Sequence, residues 1–266
     1  MLTHQHMDHL GLLEILARRS GARVAALDLL EPYLASFSRS AAADDEFAQE
    51  IMRRHGVPDD LATVLGSLAA AFRAFGSSGH VTDPLSDGAD LELRDRTLRI
   101  FHRPGHSPSD TILWDAEREI LIAGDHLLAD ISSNPLVSRP LGPDDPAHPP
   151  ARPPALLQYM DSMRATRELP ARLVLTGHGD PILDHAELID ERLRLHRRRA
   201  ARIHQLLGDR PLSAYELALR MWGNVAVTQA YLTLSEVLGH LDLLVAGQQA
   251  AEHESDGLSV FEALTV

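Results

Sequence analysis

Thr3-His4-Gln5-His6-Met7-Asp8-His9 gathers three histidines and an aspartate within a few residues of the start of the chain. Read as a strand, the run alternates faces, so His4, His6 and Asp8 project the same way. His9 follows as the chain bends into a helix that begins at residue 10. Imidazole nitrogens and a carboxylate converging where a strand ends suit a divalent cation, which takes three or four nitrogen and oxygen donors. The competing explanation is a chance cluster on a solvated loop.

Three further elements argue against chance. Pro104-Gly105-His106-Ser107 places His106 in a glycine-supported loop just past the strand-like run TLRIFHR (97–103). Ala123-Gly124-Asp125 places Asp125 at the end of EILIA (119–123), and Thr176-Gly177-His178-Gly179 places His178 beyond RLVL (172–175). Each ligand-type residue follows a strand. The ordered set, H-x-H-x-D-H and then H, D and H, resembles the metallo-β-lactamase superfamily over residues 1 to about 188.

That resemblance implies an α/β fold, an αββα sandwich that gathers its loops at one edge. It implies that His4, His6 and His106 hold one metal ion and that Asp8, His9 and His178 hold a second, with Asp125 bridging the pair. Asp8 and Asp125 are the carboxylates expected to act in catalysis. The nucleophile it implies is a water or hydroxide held between the ions, which lower its pKa and polarise the scissile carbonyl or phosphoryl oxygen. Zinc is the first expectation for the metal, with iron or manganese as alternatives. In the family several strands precede the H-x-H-x-D-H segment, whereas here three residues do, so a sandwich lacking its N-terminal strands is expected.

Composition narrows the chemistry. The 25 basic and 38 acidic residues give a formal charge of -13, which disfavours non-specific nucleic-acid binding. Every basic residue is arginine, so Schiff-base chemistry and a P-loop lysine are excluded. Cysteine is absent, removing disulfides, thiolate ligands and a cysteine nucleophile. No apolar window is long enough to span a bilayer, and the histidine-rich start is unlike a secretory signal, so a cytoplasmic location is expected.

Helical spacing is read at 10–19, 44–55, 58–75 and roughly 154–168, with a proline-rich loop over 135–154. Phe72 and Phe75 are expected to pack in the core, in a region where relatives carry substrate-covering insertions. His80 and His102 read as ordinary core or surface histidines, and His126 as a weaker candidate for orienting substrate. Asp110 departs from the glycine-histidine pair that commonly follows the family's histidine loop.

Beyond residue 188 the pattern changes. A long arginine-laden helix over 185–207 leads to Pro211–Trp222, opened by a capping box from Ser213 to Glu216. A further helix ends at Gly247, and a hairpin turns at Ser255-Asp256-Gly257. Helix, helix, helix, hairpin is the order of a winged helix, so a catalytic domain over 1–188 and a linker helix plus winged-helix-like domain over 189–266 are expected. Arg192, Arg194, Arg197, Arg198, Arg199 and Arg202 crowd one helix, yet residues 205–266 hold two arginines against eight acidic side chains. An interaction or lid module is therefore favoured over a nucleic-acid grip.

The leading expectation is hydrolysis of a small-molecule ester, thioester or lactone. An endoribonuclease or phosphodiesterase of the same fold is one alternative, and an inactive metal-binding or interaction protein is another. A homodimer is left open.

Overall fold

The structure is a computed structural model that describes residues 1–142, 151–208 and 210–264. The centre of the proline-rich loop, residues 143–150, lies outside the described residues.

Local signals set the helix ends. Helix α1 (Met7–Leu10) is a single turn, followed by α2 (Leu13–Ser20), which stops where Gly21 turns left-handed at φ 66°. Strand β1 (Ala25–Leu27) leads through a 3-10 turn into α3 (Glu31–Ala35), α4 (Phe37–Arg54) and α5 (Asp59–Phe72). Then come β2 (Asp83–Leu85), β3 (Asp90–Glu92), β4 (Thr97–His102), β5 (Thr111–Asp115) and β6 (Ile120–Gly124). Helix α6 (Ala155–Arg167) crosses over to β7 (Leu173–Thr176), which pairs parallel with β6.

The main sheet runs β3-β4-β5-β6-β7, and β1 pairs parallel with β2 as a second, two-stranded layer. Alternation along β4 and β5 explains the layering. Leu98, Ile100 and Leu113 face Ala25 and Leu85 of the small sheet. Ile112 and Trp114 face the opposite way, onto Leu156, Tyr159 and Met163 of α6. Leu10, Leu30, Leu34 and Phe37 close over Ala26 from outside. Helices therefore flank two β-layers, the αββα order. Among the described residues no helix is long and apolar enough to cross a membrane.

The C-terminal elements are α7 (His185–Leu207), β8 (Leu212–Ser213), α8 (Ala214–Trp222), α9 (Val225–Thr228), α10 (Ala230–Ala246), β9 (Ala250–Ser255) and β10 (Leu258–Ala263). The capping box is formed: Ser213 accepts from the Glu216 N–H at 3.2 Å, and Glu216 accepts from the Ser213 N–H at 2.9 Å. Strands order as β8-β10-β9. Their core is continuous with that of α4 and α5, joining Phe47, Ile51 and Met52 to Leu217, Leu238 and Phe261. The C-terminal segment is thus welded to the helices inserted after β1. At that corner Gly56 adopts φ 93°, where an added Cβ would lie 2.7 Å from Ser213 Oγ.

Two expectations are corrected. Residues 1–6 form extended chain outside any strand, and α1 begins at Met7, so Asp8 and His9 stand in a helical turn. Phe72 and Phe75 are 54% and 69% exposed and lie outside the core.

Candidate metal centre

The segment carrying His4 and His6 is stitched between the two sheets. The Leu2 N–H donates to the Ala25 carbonyl at 2.9 Å, and the Thr3 carbonyl accepts from the Thr111 N–H at 2.9 Å. This stitching delivers both histidines to the edge where β4, β6 and β7 end. Helix α1 then lifts Asp8 and His9 sideways toward β7. His106 arrives from the β4–β5 loop, Asp125 from the residue after β6, and His178 from the loop after β7.

All seven predicted residues come together, in two groups. His4, His6 and His106 form one; Asp8, His9, Asp125 and His178 form the other; within each, one candidate atom per residue lies within 4.8 Å of the rest. His106 Nε2 and His6 Nδ1 approach to 3.0 Å. His178 Nε2 lies 3.0 Å from Asp8 Oδ2. Asp125 stands between the groups, its Oδ2 3.4 Å from His178 Nε2 and 3.7 Å from His106 Nε2, its Oδ1 3.3 Å from His9 Nε2.

Electrostatics favour lone pairs over protons in the first group. Burial, then the neighbouring imidazoles, hold His4 far below the usual histidine range. Burial and His106 bring His6 down to about 3, and burial lowers His106. A buried neutral imidazole with an unpartnered ring nitrogen is what a cation requires, and His4 Nε2 has no hydrogen-bond partner among the described residues. Thr3 Oγ1, 3.1 Å from His4 Nδ1, fixes the ring so that Nε2 faces its neighbours. In the second group, Asp125 raises His9. Burial works to raise Asp125 itself, but His9, His106 and His178 outweigh it and lower the carboxyl.

The supporting shell contains residues that motif reading did not assign. Asp110 is buried and accepts from the Ser107 N–H at 3.0 Å and the Ser107 hydroxyl at 2.9 Å, bracing the loop that presents His106. It therefore takes a bracing position where the commoner pattern has a histidine. Gly177 is dictated by space: an added Cβ would lie 2.0 Å from Asp125 Oδ1. Both glycines flanking the site, Gly124 and Gly177, were visible in the motifs; their packing partners were not.

Other histidines are accounted for elsewhere. His126 points into α6, with Nε2 2.9 Å from Thr166 Oγ1, away from the cluster. His102 Nε2 meets the Pro108 carbonyl at 2.9 Å, and His80 is exposed. A third buried group, His196, Glu236 and His240, lies between α7 and α10. Its rings share a hydrogen bond of 3.2 Å, His240 Nδ1 donates to the Glu236 carbonyl, and Arg199 pairs with the Glu236 carboxylate. Arg199 is thus spent on packing, as is Arg192, which donates to the Ala129 carbonyl at 3.1 Å. Arg194, Arg197, Arg198 and Arg202 are exposed.

The chain is similar to several known proteins. The chain is 28% identical over 261 residues to the probable metallo-hydrolase YqjP of Bacillus subtilis (strain 168), covering 98% of this chain and 78% of that protein. Among solved structures, the metallo-beta-lactamase family protein TTHA1429 from Thermus thermophilus is similar at a TM-score of 0.76 and 26% identity, over 99% of this chain and 78% of that one. A beta-lactamase domain protein from Burkholderia ambifaria is similar at a TM-score of 0.77 and 25% identity, over 99% of this chain and 74% of that one. The family model described as the metallo-beta-lactamase superfamily matches residues 1–178, the span holding all seven clustered residues. The chain belongs to the metallo-beta-lactamase superfamily.

Proposed function

We propose that this protein is a metal-dependent hydrolase that binds two divalent ions, zinc first among the candidates, and cleaves a small-molecule ester, thioester or lactone. The position of Asp125 carries the reading, because one carboxylate faces both donor groups. His4, His6 and His106 would hold one ion, Asp8, His9 and His178 the other, and Asp125 both. The ions, when bound, supply Lewis acidity and a water of lowered pKa at neutral pH. The chain supplies orientation. Thr3 sets His4, Asp110 sets the His106 loop, and the bare Cα of Gly177 leaves room for the Asp125 carboxylate.

Carbonyl substrates are favoured over RNA by charge. The chain carries a formal charge of -13, and only Arg194, Arg197, Arg198 and Arg202 of the arginine helix face solvent. We further read 189–266 as a linker helix and winged-helix-like module, on its order of helices and its hairpin, acting through packing against α4 rather than by gripping nucleic acid.

Elemental analysis of folded protein tests the metal assignment. Close to two ions per chain are expected, with lower occupancy in Asp125→Ala and in His178→Ala; full occupancy in both refutes it. For the substrate, thioester and lactone hydrolysis is compared with cleavage of single-stranded RNA, using His4→Ala as the blank. Faster RNA cleavage, abolished by charge reversal at Arg197 and Arg198, replaces the carbonyl reading with a ribonuclease.

A further inference from the structure

Beside the metal-ligand cluster, a cavity of about 810 Å³ lies between α4 and α5 on one side and α9 and α10 on the other. His6 and Asp8 of the cluster stand in its wall, as do Thr228, Tyr231 and Leu232. Pockets that enclose most of a drug-sized ligand span roughly 300–1,000 Å³, so this volume far exceeds what an acetyl group needs.

The lining is predominantly hydrocarbon, with Phe37, Phe47, Met52, Leu65 and Val137 among its walls. Its two inner carboxylates are already paired. Asp44 accepts from Arg139 Nε at 2.9 Å and from the Tyr33 hydroxyl at 3.0 Å, and Asp45 lies 2.7 Å from Arg73 Nη2. A polar or charged substrate tail would lose hydration here and meet partners already engaged. A hydrocarbon tail loses nothing.

We infer that the substrate carries a long apolar chain, which lies in this cavity while its carbonyl stands beside His6 and Asp8. The inference rests on the hydrolase reading and deepens it from any ester or thioester to those with a hydrocarbon tail. The tail belongs to the acyl side or to the leaving group, and both place the same chemistry in the cavity.

The chain-length dependence of the metal-loaded, full-length protein tests it. Each buried methylene is expected to raise kcat/KM about fourfold, so octanoyl thioesters, longer by four methylenes, exceed butanoyl by roughly 250-fold. Short-acyl esters of octanol, run in parallel, tell an acyl-side tail from a leaving-group tail. Isothermal titration with octanoate against acetate reads the cavity without turnover. Two variants narrow opposite walls, Ala48→Phe on α4 and Leu232→Trp on α10. Each is expected to lower octanoyl kcat/KM and octanoate affinity about tenfold while leaving acetyl hydrolysis within about twofold. A flat length profile with equal octanoate and acetate binding overturns the inference and leaves the hydrolase reading standing. Octanoate binding that is lost in the variants, without hydrolysis of any carbonyl substrate, upholds the cavity assignment and removes the hydrolase reading.

Discussion

Gly177 offers the sharpest perturbation of the centre. It follows β7, and its N–H donates to the Gly124 carbonyl at 2.7 Å, so the loops bearing Asp125 and His178 are tied together. A Cβ placed there would stand 2.0 Å from Asp125 Oδ1 and 3.0 Å from His9 Cε1. Real Cβ contacts essentially never fall below 3.0 Å, so in Gly177→Ala the carboxylate must retreat by about 1 Å. Loss of an outer support costs metal affinity about 10- to 100-fold, and a misplacement of this size costs about 100-fold in rate. Titration against a competing chelator reads the first, and thioester turnover at saturating metal reads the second. Gly179→Ala is the matched control. Its φ of 76° makes any side chain strained, yet an added Cβ would find only Asp130 Oδ2, at 3.8 Å. That variant should lose about 1 kcal/mol of stability and keep its metal affinity. Should Gly177→Ala bind both ions as tightly as the parent, Asp125 does not serve as the shared carboxylate.

Two further outcomes follow from the C-terminal half. Burial first, then nearby charged and imidazole neighbours, lowers His196 to about 4 and His240 to about 2 from an ordinary 6.5. Folding therefore favours the neutral rings: their contribution is complete above pH 6.5 and is lost as pH falls toward 4, by up to about 1.4 kcal/mol per pH unit for each proton bound. Urea melts of the metal-free protein across that range should show this acid slope, and it should be shallower in His196→Gln; an unchanged slope there removes His196 as its source. Charge reversal separates the arginines. Arg199→Glu breaks its pair with Glu236 and should lower Tm by several degrees, while Arg197→Glu and Arg198→Glu, both exposed, should leave Tm and thioester turnover unchanged.

What could be read from the amino acids was whatever neighbours in the chain determine. The ligand types and their order stood in four short motifs. Helix α7 was bounded at 185–207 as found, because Asp184 caps one end and Gly208 follows the other. Strand β5 matched TILWD, and the Ser213–Glu216 box opened α8, since alternation and capping act over a few residues. Tertiary structure decided the rest. The division of His4 and His6 from Asp8 and His9 was implied by the resemblance, but the extended chain and helical turn that carry them, anchored by hydrogen bonds from Leu2 to Ala25 and from Thr111 to Thr3, replace the strand that alternation suggested. The three-residue strands β1 and β2 exist because Ala25 and Leu85 cover Leu98, Ile100 and Leu113, positions far apart in the chain. Phe72 has helical spacing suited to a core, yet it is 54% exposed, because whether a helix face is covered is decided by distant segments and not by spacing. The apolar cavity belongs to α4, α5, α9 and α10 together, and a volume enclosed by distant segments has no local pattern to announce it.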